Sequence, residues 1–238
     1  MTEPRVAVLI DADNVSGDHA SAVLEEAGMQ GRVIIRRIYG DWTENAGKKW
    51  KRVLADLAIV PIQQFQNTVG KNATDSALII DCMDLLHHDA AEVFCLISSD
   101  ADFTRLASRL RESARTVVGI GQKKTPKAFV NACDRFIFIE NLTSQSKPRG
   151  SGGGGGGRKK QDPIPPEASK LLMRAFDDAE NDDGFCYLGT LGSALLKLDP
   201  SFDARTYGFR RLSELVTADP RLKMEKHASK NAKVVTRV

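Results

Sequence analysis

Two kinds of apolar pattern alternate along the first part of the chain. Short continuous apolar runs, such as Val6–Ile10, are separated by longer segments in which apolar residues recur with helical spacing. The short runs are typical of strands buried on both faces of a parallel sheet, and the longer segments of amphipathic helices. The predicted strands are Val6–Ile10, Val33–Tyr39, Ile62–Phe65, Val93–Ile97, Thr116–Ile120 and Phe136–Ile139, and the predicted helices are Asp18–Met29, Ala46–Leu57, Thr74–His87, Asp102–Glu112 and Pro126–Ala132. This alternation predicts the α/β class, a three-layer sandwich with a mostly parallel sheet.

A different pattern follows near the end of the chain. Helical periodicity predicts three helices, and two short strand-like segments come after them. Three helices and a hairpin in so short a segment predict a small winged helix-turn-helix domain. The predicted elements are helices Glu167–Ala179, Leu188–Leu198 and Ala204–Val216 and strands Leu222–Glu225 and Ala232–Arg237.

The segment between these two regions is rich in glycine and basic residues. Residues 143–162 include six consecutive glycines, five basic side chains and one acidic side chain. Such a composition cannot bury enough apolar area to fold, so we predict a flexible linker between a domain at 1–142 and a domain at 163–238. The linker is either a solubilising spacer or a mobile arm that attracts polyanions.

Acidic residues follow two of the predicted strands. Asp11 and Asp13 come directly after the first apolar run, and Asp100 and Asp102 come after Val93–Ile97. In an open α/β sheet, ligands bind outside the carboxyl ends of the strands. Taken singly, each acid is best explained as a turn or cap residue.

Taken together, the acids predict a cation site. Asp75, at the start of the predicted helix Thr74–His87, adds a third acidic position to Asp11 and Asp100. Carboxylates brought close together destabilise one another unless a cation or a proton intervenes. Oxygen ligands without histidine or cysteine favour Mg²⁺ or Mn²⁺ over zinc.

Three segments carrying these acids resemble a known family. Leu9–Asn14, Lys71–Asp75 and Ser98–Phe103 resemble, in this order, the three acidic motifs of the NYN domain, a PIN-like ribonuclease family. The resemblance covers residues 4–142 and implies a metal-dependent endoribonuclease that hydrolyses RNA phosphodiester bonds. The residues that it implies for the site are the metal ligands Asp11, Asp75 and Asp100, supported by Asn14 and Asp102.

Basic and aromatic side chains near these motifs are candidates for RNA contact. Lys71 precedes Asp75, and a cationic segment with an aromatic residue lies on the predicted helix Ala46–Leu57. Cations of this kind would guide the phosphate backbone, while Trp42 or Trp50 would stack a base. A solvated helix face explains the basic segment equally well. The candidate phosphate contacts here are Lys48, Lys49, Lys51, Arg52 and Lys71.

The C-terminal region has a resemblance of its own. Gly184–Gly192 and Phe202–Leu212 resemble the LOTUS, or OST-type HTH, domain, which implies RNA binding or protein docking. We favour RNA, because the linker and the predicted hairpin are cationic. Candidate phosphate contacts are Arg205, Arg210 and Arg211, with Lys223, Lys226, Lys230 and Lys233, whereas Tyr207, Phe209, Leu212 and Leu215 are expected in the core.

Other classes of function stay open at this stage. Asp11-Ala12-Asp13 after a strand also resembles the nucleophile motif of haloacid-dehalogenase-like phosphatases, and a non-catalytic RNA-binding adaptor is a further alternative. A chain with 42% hydrophobic and 27% charged residues is typical of a globular protein. The sequence has no apolar run long enough for a membrane span, and its N-terminus has no signal pattern. The protein is therefore expected to be cytoplasmic. The four cysteines are expected to be buried free thiols. A protein partner and a homo-oligomer are left open.

Overall fold

The chain forms two compact units, Met1–Lys147 and Pro148–Val238. The structure, a computed structural model, describes residues 2–43, 48–65, 73–143, 164–227 and 232–238, without the side chains of 48, 49 and 143. Most of the predicted linker, residues 143–162, therefore lies outside the described residues.

The first unit contains a fully parallel sheet of six strands. Their order is β3-β2-β1-β4-β5-β6, and every neighbouring pair is parallel. Chain order reverses at β1 and β4, which lie side by side although β2 and β3 come between them along the chain. The strands are β1 (Arg5–Asp11), β2 (Arg32–Gly40), β3 (Val60–Gln63), β4 (Val93–Ile97), β5 (Thr116–Gly121) and β6 (Arg135–Phe138).

Helices cover both faces of this sheet. Side chains alternate along a strand, so Leu9 belongs to the core on one face, together with Leu78 and Leu106, and Ile10 to the core on the other. Burial on both faces explains why the central strands are continuous apolar runs. The predicted three-layer α/β sandwich is confirmed. The helices are α1 (Ala20–Gly28), α2 (Lys48–Lys51), α3 (Ala73–His87), α4 (Thr104–Glu112), α5 (Lys127–Ala132) and α6 (Ile139–Thr143).

The predicted helix Ala46–Leu57 is wrong in its length. Within the described residues it is helical only at α2, and residues 52–58 form turns. The helix ends where the backbone N–H of Val53 bonds to the carbonyl of Trp50, three residues back, and the indole Nε1 of the buried Trp50 donates to the carbonyl of Val15 at 2.9 Å. The chain then turns through Ala58, whose φ is 51°, into β3.

The second unit is helical, with a small antiparallel sheet, as the winged helix-turn-helix prediction requires. Its own core forms around Leu172, Phe176 and Leu195. The predicted hairpin is confirmed, and a third strand, which the sequence pattern did not predict, joins it in the order β7-β9-β8. The elements are α7 (Pro166–Ala179), β7 (Phe185–Tyr187), α8 (Leu188–Leu198), α9 (Leu212–Ala218), β8 (Leu222–Lys226) and β9 (Lys233–Arg237).

The predicted third helix of this unit, Ala204–Val216, is interrupted. A 3₁₀ turn spans Ala204–Tyr207, and Gly208 then takes a left-handed conformation with φ of 84°. Such a residue ends a helix, and glycine adopts this conformation without steric cost. Helix α9 begins only at Leu212. As expected, Phe209 and Leu215 are buried, and Tyr207 and Leu212 pack against the core.

Two further expectations from the sequence concern the cysteines and membrane-spanning segments. The cysteines Cys82, Cys95, Cys133 and Cys186 are all buried and free, as predicted. Among the described residues, no helix has both the length and the apolar character that a membrane span requires.

Candidate metal centre

The predicted acidic residues lie at the carboxyl edge of the sheet. Asp11 is the last residue of β1, and Asp100 follows the end of the neighbouring strand β4. Since chain connections leave β1 and β4 in opposite directions, a crevice opens between them, and this is the usual ligand site of an open α/β sheet. The first turn of α3 brings Asp75 to the same edge.

Helix α3 is held in place by polar contacts with β2. The phenol of Tyr39 donates to the carboxylate of Asp81, and the guanidinium of Arg37 forms an ion pair with the same group. Tyr39 is fully buried, and its position on β2 is directly opposite Asp11 on β1. These contacts tie the middle of α3 to the sheet, and they thereby set where its first turn, with Asp75, lies.

Three carboxylates converge at this edge. Asp75, Asp100 and Asp102 each offer an oxygen, and these oxygens all lie within 4.8 Å of one another. Asp75 and Asp100 are partly buried, while Asp102 is exposed. A set of carboxylate oxygens on a solvent-accessible rim fits a hard divalent cation that keeps some of its water ligands. The carboxylate oxygens are therefore ligands of the type that Mg²⁺ and Mn²⁺ prefer.

Asp11 is in a different environment from these three residues. Its side chain is fully buried, and both of its carboxylate oxygens accept hydrogen bonds. The backbone N–H of Asp13 donates to Oδ1 at 3.0 Å, the amide of Asn14 to Oδ2 at 2.6 Å and the hydroxyl of Ser98 to Oδ2 at 2.8 Å. Burial raises the pKa of Asp11, and the hydrogen bonds from Ser98 and Asn14 act against that shift. The predicted ligand set of Asp11, Asp75 and Asp100 stays a prediction.

The charges of this site act most clearly on Asp75. Its pKa is raised to about 6, first by burial and then by the negative charges of Asp11, Asp100 and Asp102. Like charges at short range favour a proton or a cation at the site. The electrostatics therefore agree with the geometry in pointing to a cation site.

Two serines that the sequence did not mark as site residues lie beside these acids, and one of them, Ser98, bonds directly to Asp11. The hydroxyl of Ser98, which is 1% exposed, donates to Asp11 and accepts the backbone N–H of Asp100 at 3.1 Å. The hydroxyl of Ser99 accepts the backbone N–H of Gln122 at 2.8 Å. The signal in the sequence was their position between a buried strand and Asp100, where hydroxyls can satisfy strand-end backbone groups.

Asp100 also organises the turn that follows it. Its carboxylate oxygen Oδ1 accepts the backbone N–H of Asp102 at 2.9 Å, which caps the 3₁₀ turn Ala101–Phe103. Asp100 therefore has the capping role that the sequence suggested for acids at such positions. The capping bond engages one oxygen of Asp100 and leaves its other oxygen without a role in this cap.

The predicted RNA contacts in the first unit have mixed outcomes. Arg52 is exposed, whereas the side chains of Lys48 and Lys49, and all of Lys71, lie outside the described residues. The prediction that Trp50 stacks a base is wrong, because its indole is 1% exposed and bound to the core. Trp42 is partly buried, and its Nε1 donates to the carbonyl of Ile62 at 2.9 Å.

The three arginines predicted in the second unit differ from one another. Arg205 forms an ion pair with Asp203 at 2.6 Å, and its side chain is only 16% exposed. Arg210 and Arg211 are exposed and lie directly before α9, not inside a helix as predicted. Of the three, Arg210 and Arg211 are therefore the better placed to reach a phosphate.

The fold and the site together define a class of protein. Its first domain is a parallel α/β domain with a carboxylate cluster at the switch point, the place between β1 and β4 where the chain order reverses. Its second domain is small and helical, with an antiparallel sheet. Residues 5–140 match the NYN domain, and residues 164–234 match the OST-HTH/LOTUS domain. The chain thus belongs to the NYN family and carries an OST-HTH/LOTUS domain after its NYN domain. This order of domains is the predicted one.

Two solved structures are similar to parts of the chain. A protein of unknown function from Vibrio parahaemolyticus is 16% identical and matches 59% of this chain and 95% of its own, with a TM-score of 0.49. An uncharacterized protein from Nitrosomonas europaea is 25% identical and matches 39% of this chain and 92% of its own, with a TM-score of 0.29. No curated protein matches the chain.

Proposed function

We propose that this protein is a metal-dependent endoribonuclease that hydrolyses RNA phosphodiester bonds and uses Mg²⁺ or Mn²⁺. The observation that carries the proposal is the convergence of Asp75, Asp100 and Asp102 at the switch point of an NYN-family domain. The proposed catalytic set is these three residues with Asp11 and Asn14. Its proposed metal ligands are Asp11, Asp75 and Asp100, and Asp102 is close enough to join them.

Each residue of the set has a role that follows from its environment. A divalent cation held here would activate a water molecule and stabilise the charge that develops on the phosphate. Asp75, Asp100 and Asp102 are accessible enough to hold the cation and to orient water around it. Asp11 is held in place by hydrogen bonds from Ser98 and Asn14, and its negative charge would attract the cation to this edge of the sheet.

The two domains would divide the work. We propose that residues 1–142 carry the chemistry, that residues 143–162 are a flexible linker and that residues 163–238 bind RNA. A tethered binding module raises the effective concentration of the substrate without a contact at the reacting atoms. Exposed cations such as Arg52, Arg210 and Arg211 would contact the phosphate backbone.

The structure argues against the phosphatase alternative. In that mechanism the first acid of Asp11-Ala12-Asp13 attacks phosphorus, so its carboxylate must be accessible. Asp11 is fully buried, and both of its oxygens already accept hydrogen bonds. A metal ion is much smaller than a phosphate ester, and Oδ1 of Asp11 accepts a single hydrogen bond from the described residues, so ligation of a metal by Asp11 needs less room than attack on phosphorus.

Cleavage assays test the proposal directly. Labelled single-stranded and structured RNAs are incubated with purified protein and Mg²⁺, Mn²⁺ or EDTA, beside a small phosphate ester. We expect cleavage with a divalent ion, no cleavage in EDTA and loss of at least about a hundredfold in Asp100→Asn and Asp75→Asn, in the range of removing electrostatic stabilisation. Glu112→Gln is the matched control, since Glu112 is an exposed acid at the far end of α4.

Equal cleavage by Asp100→Asn would remove that residue from the proposed site. Two further outcomes would contradict the proposed function itself. Turnover of the phosphate ester without RNA cleavage would favour a phosphatase. Binding of RNA without turnover under any metal would indicate the adaptor.

A further inference from the structure

The loop that follows β5 carries three lysines that are not among the RNA contacts predicted from the sequence. Lys123, Lys124 and Lys127 lie in residues 122–127, here called the lysine loop, and all three are exposed. None of them forms an ion pair with another of the described residues. The carboxylate of Glu140 accepts the backbone N–H of Lys123 at 3.0 Å and offsets part of the positive charge. The lysine loop is therefore a cationic surface of the first unit.

The lysine loop lies at the same edge of the sheet as the acids. Strand β5 is parallel to β4, and Ile120 on β5 pairs with Ile97 on β4. Lys123 and Asp100 each come three residues after this pair. Because the carboxyl ends of neighbouring parallel strands meet at one edge, the register places the start of the loop beside Asp100.

Hydrogen bonds to residues next to the acids hold the start of the lysine loop. The backbone N–H of Gln122 donates to the hydroxyl of Ser99 at 2.8 Å, and its side-chain amide donates to the carbonyl of Asn14 at 3.4 Å. Ser99 directly precedes Asp100, and the side-chain amide of Asn14 donates to Asp11. The loop is therefore positioned by the same residues that surround the carboxylates.

The segments on both sides of the lysine loop are also closely packed. At Gly121, which precedes the loop, a β-carbon would lie 2.4 Å from the carbonyl oxygen of Ser98, so the close approach of the two strand ends requires glycine. After the loop, the ring of Phe129 on α5 packs against that of Phe103, with 6.3 Å between their centroids. Both contacts are made with Ser98–Phe103, the segment that carries two of the acids.

The charge of the acid cluster explains why cations would be needed here. Asp11, Asp75, Asp100 and Asp102 carry up to four negative charges between them, and one divalent ion neutralises only two. A phosphate that approaches this edge brings further negative charge, and repulsion is stronger at a partly buried site than in water. Lysines fixed beside the cluster would offset that repulsion and attract the phosphate backbone.

We infer that the lysine loop binds the phosphates of the RNA strand that flank the bond to be cleaved, through Lys123, Lys124 and Lys127. The inference rests on the proposed function in taking RNA as the substrate. It gives the first unit a substrate-binding surface of its own, in addition to the RNA contacts proposed for the second unit. Exposed lysines that serve only solubility would have the same burial, but RNA would not shield their amines.

Lysine acetylation with and without RNA tests this difference on the unmodified full chain. The protein is treated with an amine-acetylating reagent in EDTA, which prevents cleavage, in the presence or absence of a single-stranded RNA, and the modified lysines are identified by mass spectrometry. Bound RNA should slow acetylation of Lys123, Lys124 and Lys127. The protection should disappear as salt is raised, because phosphate contacts are displaced by ions.

Kinetics with Mg²⁺ test the same lysines during cleavage. Lys123→Gln combined with Lys124→Gln should raise KM for single-stranded RNA about tenfold and affect kcat much less, because a phosphate contact beside the cleaved bond is made before and during the reaction. The same variant should flatten the dependence of log affinity on log salt by up to about 1.5 units, at about 0.7 per single-strand contact. Lys123→Arg combined with Lys124→Arg keeps the charge and should behave like the parent.

A charge-matched control removes two cations from the opposite edge of the sheet. Arg32 begins β2 and Arg109 lies in the last turn of α4, and both are exposed. Arg32→Gln combined with Arg109→Gln changes the net charge as much as the double lysine variant does. It should leave KM and the salt dependence close to those of the parent.

Different outcomes separate this inference from the proposed function. An unchanged KM in the double lysine variant, or an equal rise in the arginine control, would overturn the inference and leave the ribonuclease standing. Acetylation of the three lysines that RNA does not slow would overturn it even if a variant failed to fold. Absence of cleavage by the parent with every metal would refute the proposed function, whereas protection of the lysines by RNA would still identify the loop as an RNA contact.

Discussion

The metal-free site should destabilise the first unit, and Asp75→Asn should relieve that effect. The pKa of Asp75 is raised from 3.8 to about 6 by burial and by its acidic neighbours. A shift of about two units corresponds to about 3 kcal/mol if the site is fully shielded from solvent. Because Asp75 is partly exposed, screening reduces this to about 1.5 kcal/mol.

The size of the effect depends on pH. A group whose pKa is raised in the folded state contributes stability below its unfolded pKa, and that stability is lost as pH rises through the folded pKa. The penalty of an ionised Asp75 is thus complete above about pH 7, and it has largely disappeared by about pH 4. The asparagine that replaces it in the variant carries no charge at any pH. The variant should therefore gain about 1.5 kcal/mol at about pH 8 and almost nothing at about pH 4.

Urea unfolding in EDTA, followed by tryptophan fluorescence at both pH values, measures this gain. The two tryptophans of the chain, Trp42 and Trp50, both lie in the first unit, so the signal reports that unit alone. Glu112→Gln serves as the matched charge control and should show no such gain. A loss of stability in Asp75→Asn at about pH 8, or a gain equal at both pH values, would refute the electrostatic reasoning and give Asp75 a structural role. Added Mg²⁺ should stabilise the parent more than the variant.

Three further predictions address the support of the site and the division between domains. Ser98→Ala should cost about 1–3 kcal/mol in urea unfolding, since it leaves buried Asp11 short of a donor, and it should slow cleavage; cleavage and stability equal to those of the parent would show that this bond does not matter. Residues 1–142 alone should cleave RNA at high substrate concentration but lose rate at low concentration, and an inactive yet folded fragment would contradict the proposed division. Arg210→Ala combined with Arg211→Ala should flatten the salt dependence of RNA binding by up to about two units, and an unchanged slope would exclude these arginines as phosphate contacts.

The order and type of most elements follow from the pattern of apolar residues alone. Val6–Ile10 and Val93–Ile97 read as buried strands because burial on both faces demands unbroken apolar residues, which leaves a clear pattern. The acids were visible for the same reason, since Asp11 and Asp100 stand where the apolar runs end. The family motifs then put these acids in a known order.

Local pattern failed where packing decided the outcome. The spacing at Ala46–Leu57 is helical, but within the described residues only Lys48–Lys51 is a helix, where the buried Trp50 bonds to Val15, and turns follow it. The helical spacing of Ala204–Val216 likewise continues through Gly208, whose left-handed conformation breaks it. Periodicity shows which face of a segment is apolar. It carries no information about contacts with residues far along the chain, and these contacts help to decide where a helix ends.

The division of the acids into one buried residue and three residues at the rim arises from packing. The strand order puts β1 beside β4, so that Ser98 reaches the carboxylate of Asp11 across 87 positions of the chain. Burial then separates Asp11, which is enclosed and hydrogen-bonded, from Asp75, Asp100 and Asp102, whose oxygens converge at the rim. Four aspartates look alike in a sequence because residue type carries neither depth nor distance, and both arise only when strands and helices pack together.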